Sequence, residues 1–300
     1  MAFVELIILG LLLGTAAVLA FRAAGGVRRP LGPPGEATIR EVVYRHPRLR
    51  RFFASRFDPA KVTAAGLASA GVAFVIGATI IGVLAAMART QRGLAQLDPR
   101  IASWAATHVS SASVSPLRSV TQFGGAVVLV PLAAVVAVIE SIRARSRSVA
   151  LFLLVVVGGQ FLVANTVKFV VDRARPAIHP LTGFSGRSFP SGHATAAAAA
   201  FAAFAFLLGR RRSWSVRALL GGAAVAVAVV IAGTRVLLGV HWFSDVIAGL
   251  LLGWAWFAVC CFSFGGRLLR FGVPVEEAEV VAEDLERVEH DVGPPSAART

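Results

Sequence analysis

The stretch 149-VALFLLVVVGGQFLVANTVKFVV-171 decides the fold of this chain. Its 23 residues carry one charge, Lys168, three positions from the end. Wound as an α-helix rising 1.5 Å per residue, it is roughly 35 Å long, enough for the ~30 Å hydrocarbon layer of a bilayer. Apolar residues cover every face, so it reads as neither a half-exposed surface helix nor an alternating strand. It is a membrane-spanning helix with a lysine at its water-side end.

Six further stretches read the same way: 3–21, 63–88, 122–139, 194–208, 217–233 and 246–264. The span at 194–208 is short and alanine-rich, and gives the weakest hydropathy signal of the seven. The 300 residues are 56% apolar with a mean hydropathy of +0.73, a composition of integral membrane proteins. The expected fold class is all-α, a polytopic membrane helical bundle.

The net charge of +14 does not point to nucleic acid, because the basic residues lie in loops between spans instead of on one soluble face. They report topology. With segments 22–61, 141–148, 209–217 and the flank after 264 placed in the cytoplasm, nineteen basic residues lie inside and eight outside, the sense of the positive-inside rule. The first span begins Met-Ala-Phe-Val-Glu, without the basic start of a signal peptide, and Arg22, Arg28 and Arg29 follow it. It is read as a retained anchor with its N-terminus outside. Richness in Arg and Ala with only two lysines fits a GC-rich bacterial genome, so the expected location is a bacterial cytoplasmic membrane.

Three polar clusters sit at span ends on the outer side of this topology. They are KFVVDRARP at 168–176, PSGH at 190–193 and TRVLLGVHWFSD at 234–245. Ionisable groups beside membrane spans are functional candidates by default. Lys168, Arg175 and Arg235 are cations that could surround the anionic oxygens of a phosphoryl group, the arginines as planar forks and the lysine as a point charge. Ser191 offers a hydroxyl, and Gly192 lets backbone approach an anion near the start of an apolar helix, where free amides and the helix dipole favour negative charge. His193 is suited to general acid catalysis. His241 and Asp245 are four apart and share one face if a helix starts by His241, the carboxylate fixing the imidazole tautomer and leaving the other nitrogen free to attack phosphorus.

The spacings K-x6-RP, PSGH and (S/T)R-x5-H-x3-D together resemble the type 2 phosphatidic acid phosphatase (PAP2) superfamily over roughly residues 60–264, with Thr234 where that family usually has serine. The resemblance implies a six-helix catalytic core and a metal-independent lipid phosphatase or diphosphatase working through a phosphohistidine at His241. On it rests the organisation expected here: an anchor at 1–24, a basic cytoplasmic linker at 25–61, a catalytic core at 62–265 and an acidic cytoplasmic tail at 266–300. It also makes undecaprenyl diphosphate the favoured substrate, with phosphatidic acid and phosphatidylglycerophosphate as alternatives. The expected partners are a lipid phosphate and membrane lipids. No cofactor is implied, and no His, Cys or carboxylate array has metal-ligand spacing.

Two other classes compete. A lipid transporter would scatter charges within its spans and break helices in pairs, whereas here the charges gather at one face. A vanadate-dependent haloperoxidase shares the phosphate-site pattern but not the membrane spans. Among the remaining polar residues, Asp172 and Arg173 read as a local charge pair, and His179 and Arg187 as possible headgroup contacts. Gln160, Asn165 and Thr166 read as interhelical hydrogen-bonders. Cys260 and Cys261 read as packing residues, and Gly249 with Gly253 as a helix-packing pair. A surface helix is expected over 95–108 and an amphipathic one near Val281, Leu285 and Val288; His46 and His290 fall on the cytoplasmic side.

Overall fold

A computed structural model describes residues 2–26, 59–210 and 212–269. The basic stretch around His46, most of the linker, and the acidic tail with His290 lie outside the described residues. Among the described residues nine α-helices follow one another: α1 Ala2–Gly26, α2 Pro59–Thr90, α3 Asp98–His108, α4 Ser111–Thr121, α5 Ala126–Ala144, α6 Ser148–Val171, α7 Gly192–Gly209, α8 Trp214–Leu237 and α9 Phe243–Leu269. Short 3-10 turns at Gly93–Leu97 and Gln122–Gly124 lead into α3 and α5. Among the described residues, seven helices (all but α3 and α4) are long and apolar enough to cross a membrane.

The weakest span by hydropathy is the centre of the bundle. Of α7, 61% of the span window is buried inside the protein, against 17% to 39% for the other six. Helices α6, α8 and α9 all pack on it. A helix that meets other helices in place of lipid needs small side chains for close approach more than it needs bulk, which is why its run is AAAAAFAA. The Gly249/Gly253 pair supplies the other half of that contact: a Cβ at Gly249 would stand 2.6 Å from the Ser191 carbonyl oxygen, and one at Gly253 would overlap that of Thr195. The mouth of α7, with its PSGH turn, is thereby seated on the first two turns of α9.

The first span packs closely on one other helix. α1 runs along α8, with Gly10 against Ala226 and Val230, and Gly14 against Gly222. Trp214 Nε1 donates to the Phe21 carbonyl at 2.9 Å. Ala2 and Leu6 join Leu237, Leu238 and Val240 in one buried cluster, and Val240 immediately precedes His241. α1 is therefore a wall of the bundle as well as a span.

Two differences from the sequence expectations bear on the site. The third span begins at Ala126 and not at 122, because Gln122–Gly124 makes a 3-10 turn and Gly125 is extended. A Cβ at Gly124 would lie 2.6 Å from Ile231 Cγ2 and 3.0 Å from the His193 carbonyl oxygen, so only glycine lets this turn reach α7 and α8. The surface helix expected over 95–108 is present as the 3-10 turn and α3, and a second one, α4, follows it. Pro116 lies inside this second helix.

At one end of the bundle Glu140 accepts from Arg143 at 2.9 Å and lies 3.6 Å from Arg210. The two basic loops, 145–147 and 210–213, are thus neighbours at that end. The three polar clusters meet at the opposite end.

Candidate active site

Helix α6 ends at Asp172, which adopts a left-handed conformation at φ 49°, and Arg89 of α2 holds the released carbonyl of Val170 at 2.6 Å. The chain then leaves as the Arg173–Pro176 segment. Lys168 points back over the 187–190 loop, its Nζ donating to the carbonyls of Pro190 at 2.7 Å, Arg187 at 3.0 Å and Ser188 at 3.4 Å. Its Cε lies 4.0 Å from where a Gly192 Cβ would be. Arg175 is a second clasp: Nε donates to Gly186 O, Nη2 to Ser185 O and Arg187 O, and Nη1 to Val240 O at 2.7 Å. The same Nη1 lies 3.1 Å from His241 Nε2.

Ser191 caps α7 in extended conformation, and its amide donates to the Asp245 carbonyl at 2.9 Å, so the second cluster is tied to the third. His193 is the second residue of α7, its Nε2 3.4 Å from where a Gly125 Cβ would stand. It shares an electrostatic field with Arg235, His241, Arg175 and Lys168.

Helix α9 starts at Phe243 and not at His241. His241 belongs to the turn that joins α8 to α9; its amide donates to Arg235 O. Asp245, in the first turn of α9, accepts the Trp242 amide at 3.0 Å and faces back on the imidazole. His241 Nδ1 stands 3.4 Å from Asp245 Oδ2, an ion-pair distance beyond the usual hydrogen-bond range. That leaves Nε2 as the ring nitrogen turned toward Arg175. Burial pushes the His241 imidazole down to about 4, with Asp245 opposing and Arg175 and Lys168 adding to the fall. Burial also lowers Arg175, again against the pull of Asp245.

Three buried polar atoms at this end have no hydrogen-bond partner among the described residues: His241 Nδ1 and, on residues read as anion ligands, Ser191 Oγ and Arg235 Nε. A buried polar group left unpaired costs about 1–3 kcal/mol. All eight candidates, Lys168, Arg175, Ser191, Gly192, His193, Arg235, His241 and Asp245, come together. The Thr234 hydroxyl does not join them; it bonds to Ile231 O of its own helix.

Three residues besides those eight complete the arrangement. Thr121, at the end of α4, is 3% exposed and accepts from Arg235 Nη1 at 3.1 Å. Ser188 donates its hydroxyl to Asp245 Oδ2. Arg173, expected to pair locally, instead reaches Asp98 and Asp245, both at 2.7 Å; Asp172 pairs with Arg187, whose guanidinium lies over Phe169. Gln160 is also unlike its expectation, being buried with no partner among the described residues, while Asn165 and Thr166 bond to carbonyls of their own helix. Cys260 and Cys261 are free thiols, Cys260 buried and Cys261 partly so.

Comparison with known proteins gives the arrangement a family. Residues 149–267 match the PAP2 superfamily model. Phosphatidylglycerophosphatase B of Bacillus subtilis is 30% identical over 139 residues, which are 46% of this chain and 68% of that protein. The chain belongs to the PAP2 superfamily. A crystal structure of a transmembrane PAP2-type phosphatidylglycerolphosphate phosphatase from Bacillus subtilis superposes with a TM-score of 0.57 at 26% identity, covering 64% of this chain and 94% of that one. Lipid A 1-phosphatase of Rhizobium johnstonii is 43% identical over 119 residues, 36% of this chain. The chain spans 44% of the length of that PAP2 relative. A PAP2 family member with seven candidate spans is a multi-pass membrane protein, and the PAP2 match covers all three polar clusters.

Proposed function

We propose that this protein is a membrane lipid phosphatase that transfers a phosphoryl group from a lipid to His241 Nε2 and then to water. The observation that carries the reading is Arg175 Nη1 at 3.1 Å from His241 Nε2, at the same end of the bundle as two buried donors without a partner among the described residues, Ser191 Oγ and Arg235 Nε. In the first step the Nε2–phosphorus bond forms as the bond from phosphorus to the lipid oxygen breaks, and His193 gives its proton to that oxygen. In the second, His193 takes a proton from water, whose oxygen displaces the imidazole. Asp245 holds the Nδ1–H tautomer throughout and stabilises the charge the ring gains. Lys168, Arg175, Arg235, the Ser191 hydroxyl and the Gly192 amide stabilise the equatorial oxygens. A cluster of three cations repels a divalent metal, so the mechanism uses none.

The site is read as facing outward, which suits a carrier lipid that emerges on that side, and undecaprenyl diphosphate remains the favoured substrate. The names of the relatives support a second reading, in which the phosphate is a monoester or glycosyl phosphate on a glycerolipid or lipid A. Phosphate release from detergent-purified protein, offered undecaprenyl diphosphate, phosphatidic acid, phosphatidylglycerophosphate and lipid A in parallel with and without chelator, separates these. Release from one lipid far above the rest names the substrate. Release from none, or release that chelation abolishes, overturns the reading.

A further inference from the structure

Asp98, Arg173 and Ser244 form a buried polar chain that ends on Asp245. Asp98 is 1% exposed, Arg173 8%, Ser244 1% and Asp245 0%, so none of the four is a solvated surface charge. Arg173 Nη2 donates to Asp98 Oδ2 at 2.7 Å, and Nη1 donates to Asp245 Oδ1 at 2.7 Å and to Ser244 Oγ at 2.8 Å. Ser244 also gives its amide to Asp98 Oδ1 at 2.8 Å. Asp98 opens α3, a surface helix that precedes the third span, and meets a residue 146 positions away. Arg173 is held from its other face by the Trp242 ring, 5.5 Å from the guanidinium carbon.

The charges explain why there are two carboxylates. A guanidinium on Asp245 alone would make a neutral pair and weaken the pull of that carboxylate on the His241 N–H. The second carboxylate balances the guanidinium, so the chain of three carries one net negative charge next to the imidazole. The fork meanwhile pins Oδ1, leaving Oδ2 for Ser188, the Trp242 amide and His241.

We infer that Arg173 and Asp98 are positioning residues of the phosphoryl-transfer site, a counter-charged relay from the surface helix that fixes both the rotamer of Asp245 and the net charge felt by His241. The inference rests on the phosphatase reading above. It gives α3 a part in the chemistry, which no relative's name and none of the three sequence clusters assigns to it.

The test is charge-signed. The other charged or titratable groups facing His241 are Asp245 on α9, Lys168 and Arg175 around the end of α6, His193 on α7 and Arg235 on α8, and all are left in place. Asp98→Asn removes a negative charge, Arg173→Gln a positive one, and the double variant returns the local sum to that of the wild type. Each is purified, checked for folding by thermal melting, and assayed for kcat, KM and the pH midpoint of phosphoenzyme labelling. Each single variant is expected to lose about 10- to 100-fold in kcat, as outer-shell partners do, with KM within a few-fold. The midpoint should move down for Asp98→Asn, up for Arg173→Gln, and back toward the wild type in the double variant. Folded variants with unchanged kcat, or with losses that leave the midpoint unmoved or move it the same way in both, overturn the relay. If Arg173→Gln does not fold, the direction of the Asp98→Asn midpoint decides alone. A wild type that releases no phosphate from any lipid defeats the phosphatase reading instead, so the two failures are told apart.

Discussion

Arg175 Nη1 lies 3.1 Å from His241 Nε2 and donates to the neighbouring Val240 carbonyl at 2.7 Å. The guanidinium spends its other donors on carbonyls of residues 185–187. One planar fork therefore joins the loop before PSGH to the turn that carries the histidine. Lysine has the charge without the fork. Arg175→Lys is expected to lose about 10²–10³-fold in kcat, the scale of removing one transition-state donor, and to lose nearly as much as Arg175→Ala. Steady-state kinetics on the two variants measures this. A lysine variant close to wild type would mean that charge alone is needed.

His241→Ala should abolish turnover and covalent phosphate capture while the protein still inserts and folds, since the residue sits in a turn between α8 and α9 and terminates neither. Quenched labelling with a phosphate-labelled substrate should find an acid-labile, base-stable bond in the wild type. Undiminished label on His241→Ala would move the nucleophile elsewhere.

The depressed His241 pKa sets an acid limit on stability. Its folded value, about 4, lies below the ordinary 6.5, so between those two pH values the unfolded chain takes up a proton that the folded chain refuses. The stability tied to the neutral ring is whole above pH 6.5 and is lost as pH falls through about 4. The wild type should therefore lose melting temperature between pH 6.5 and 4 more steeply than His241→Gln, and should still form labelled enzyme at pH 5. Parallel melting curves for the two proteins would contradict the assignment.

Much of the site was legible because a membrane protein confines its charges to few places. Lys168, Arg175, His193, Arg235, His241 and Asp245 stood out as polar residues at the ends of apolar runs, and the Gly249/Gly253 spacing announced the close approach of α9 to α7. Thr121, Asp98 and Ser188 did not stand out. Each is an ordinary polar residue in a polar loop or surface helix, and what makes it part of the site is burial, which arises only when distant segments fold over one another. His241 and Asp245 share a helical face only if the helix starts by His241, and it does not: Asp245 caps the Trp242 amide, so α9 begins after the histidine and the pair meets across a cap.

Thr121 can be tested on its own account. Its hydroxyl accepts from Arg235 Nη1 at 3.1 Å, while Arg235 Nε has no partner among the described residues. Thr121→Val keeps the shape of the side chain and removes the acceptor. A tenfold fall in kcat/KM, or ~1.4 kcal/mol, is expected from a guanidinium freed to turn away. Equal kinetics in the two proteins would show that packing alone orients Arg235.

Sidedness is the last expectation, and the bundle adds an argument to the loop charges. Glu140 lies 3.6 Å from Arg210 and accepts from Arg143, so the loops at 145–147 and 210–213 share one end and must lie on one side of the membrane. One span separates each of them from the loop that carries Arg187 and leads to His193, which places that loop on the other side. The positive-inside rule predicts that the basic end stays in the cytoplasm and that the site faces outward. In a background with Cys260 and Cys261 replaced, a cysteine at Thr182 should react with an impermeant maleimide in intact spheroplasts, and one at exposed Ser213 only after lysis. The reverse pattern would put the site in the cytoplasm and remove the case for an outer-leaflet carrier lipid, while leaving the phosphohistidine chemistry to be judged by the His241 experiment.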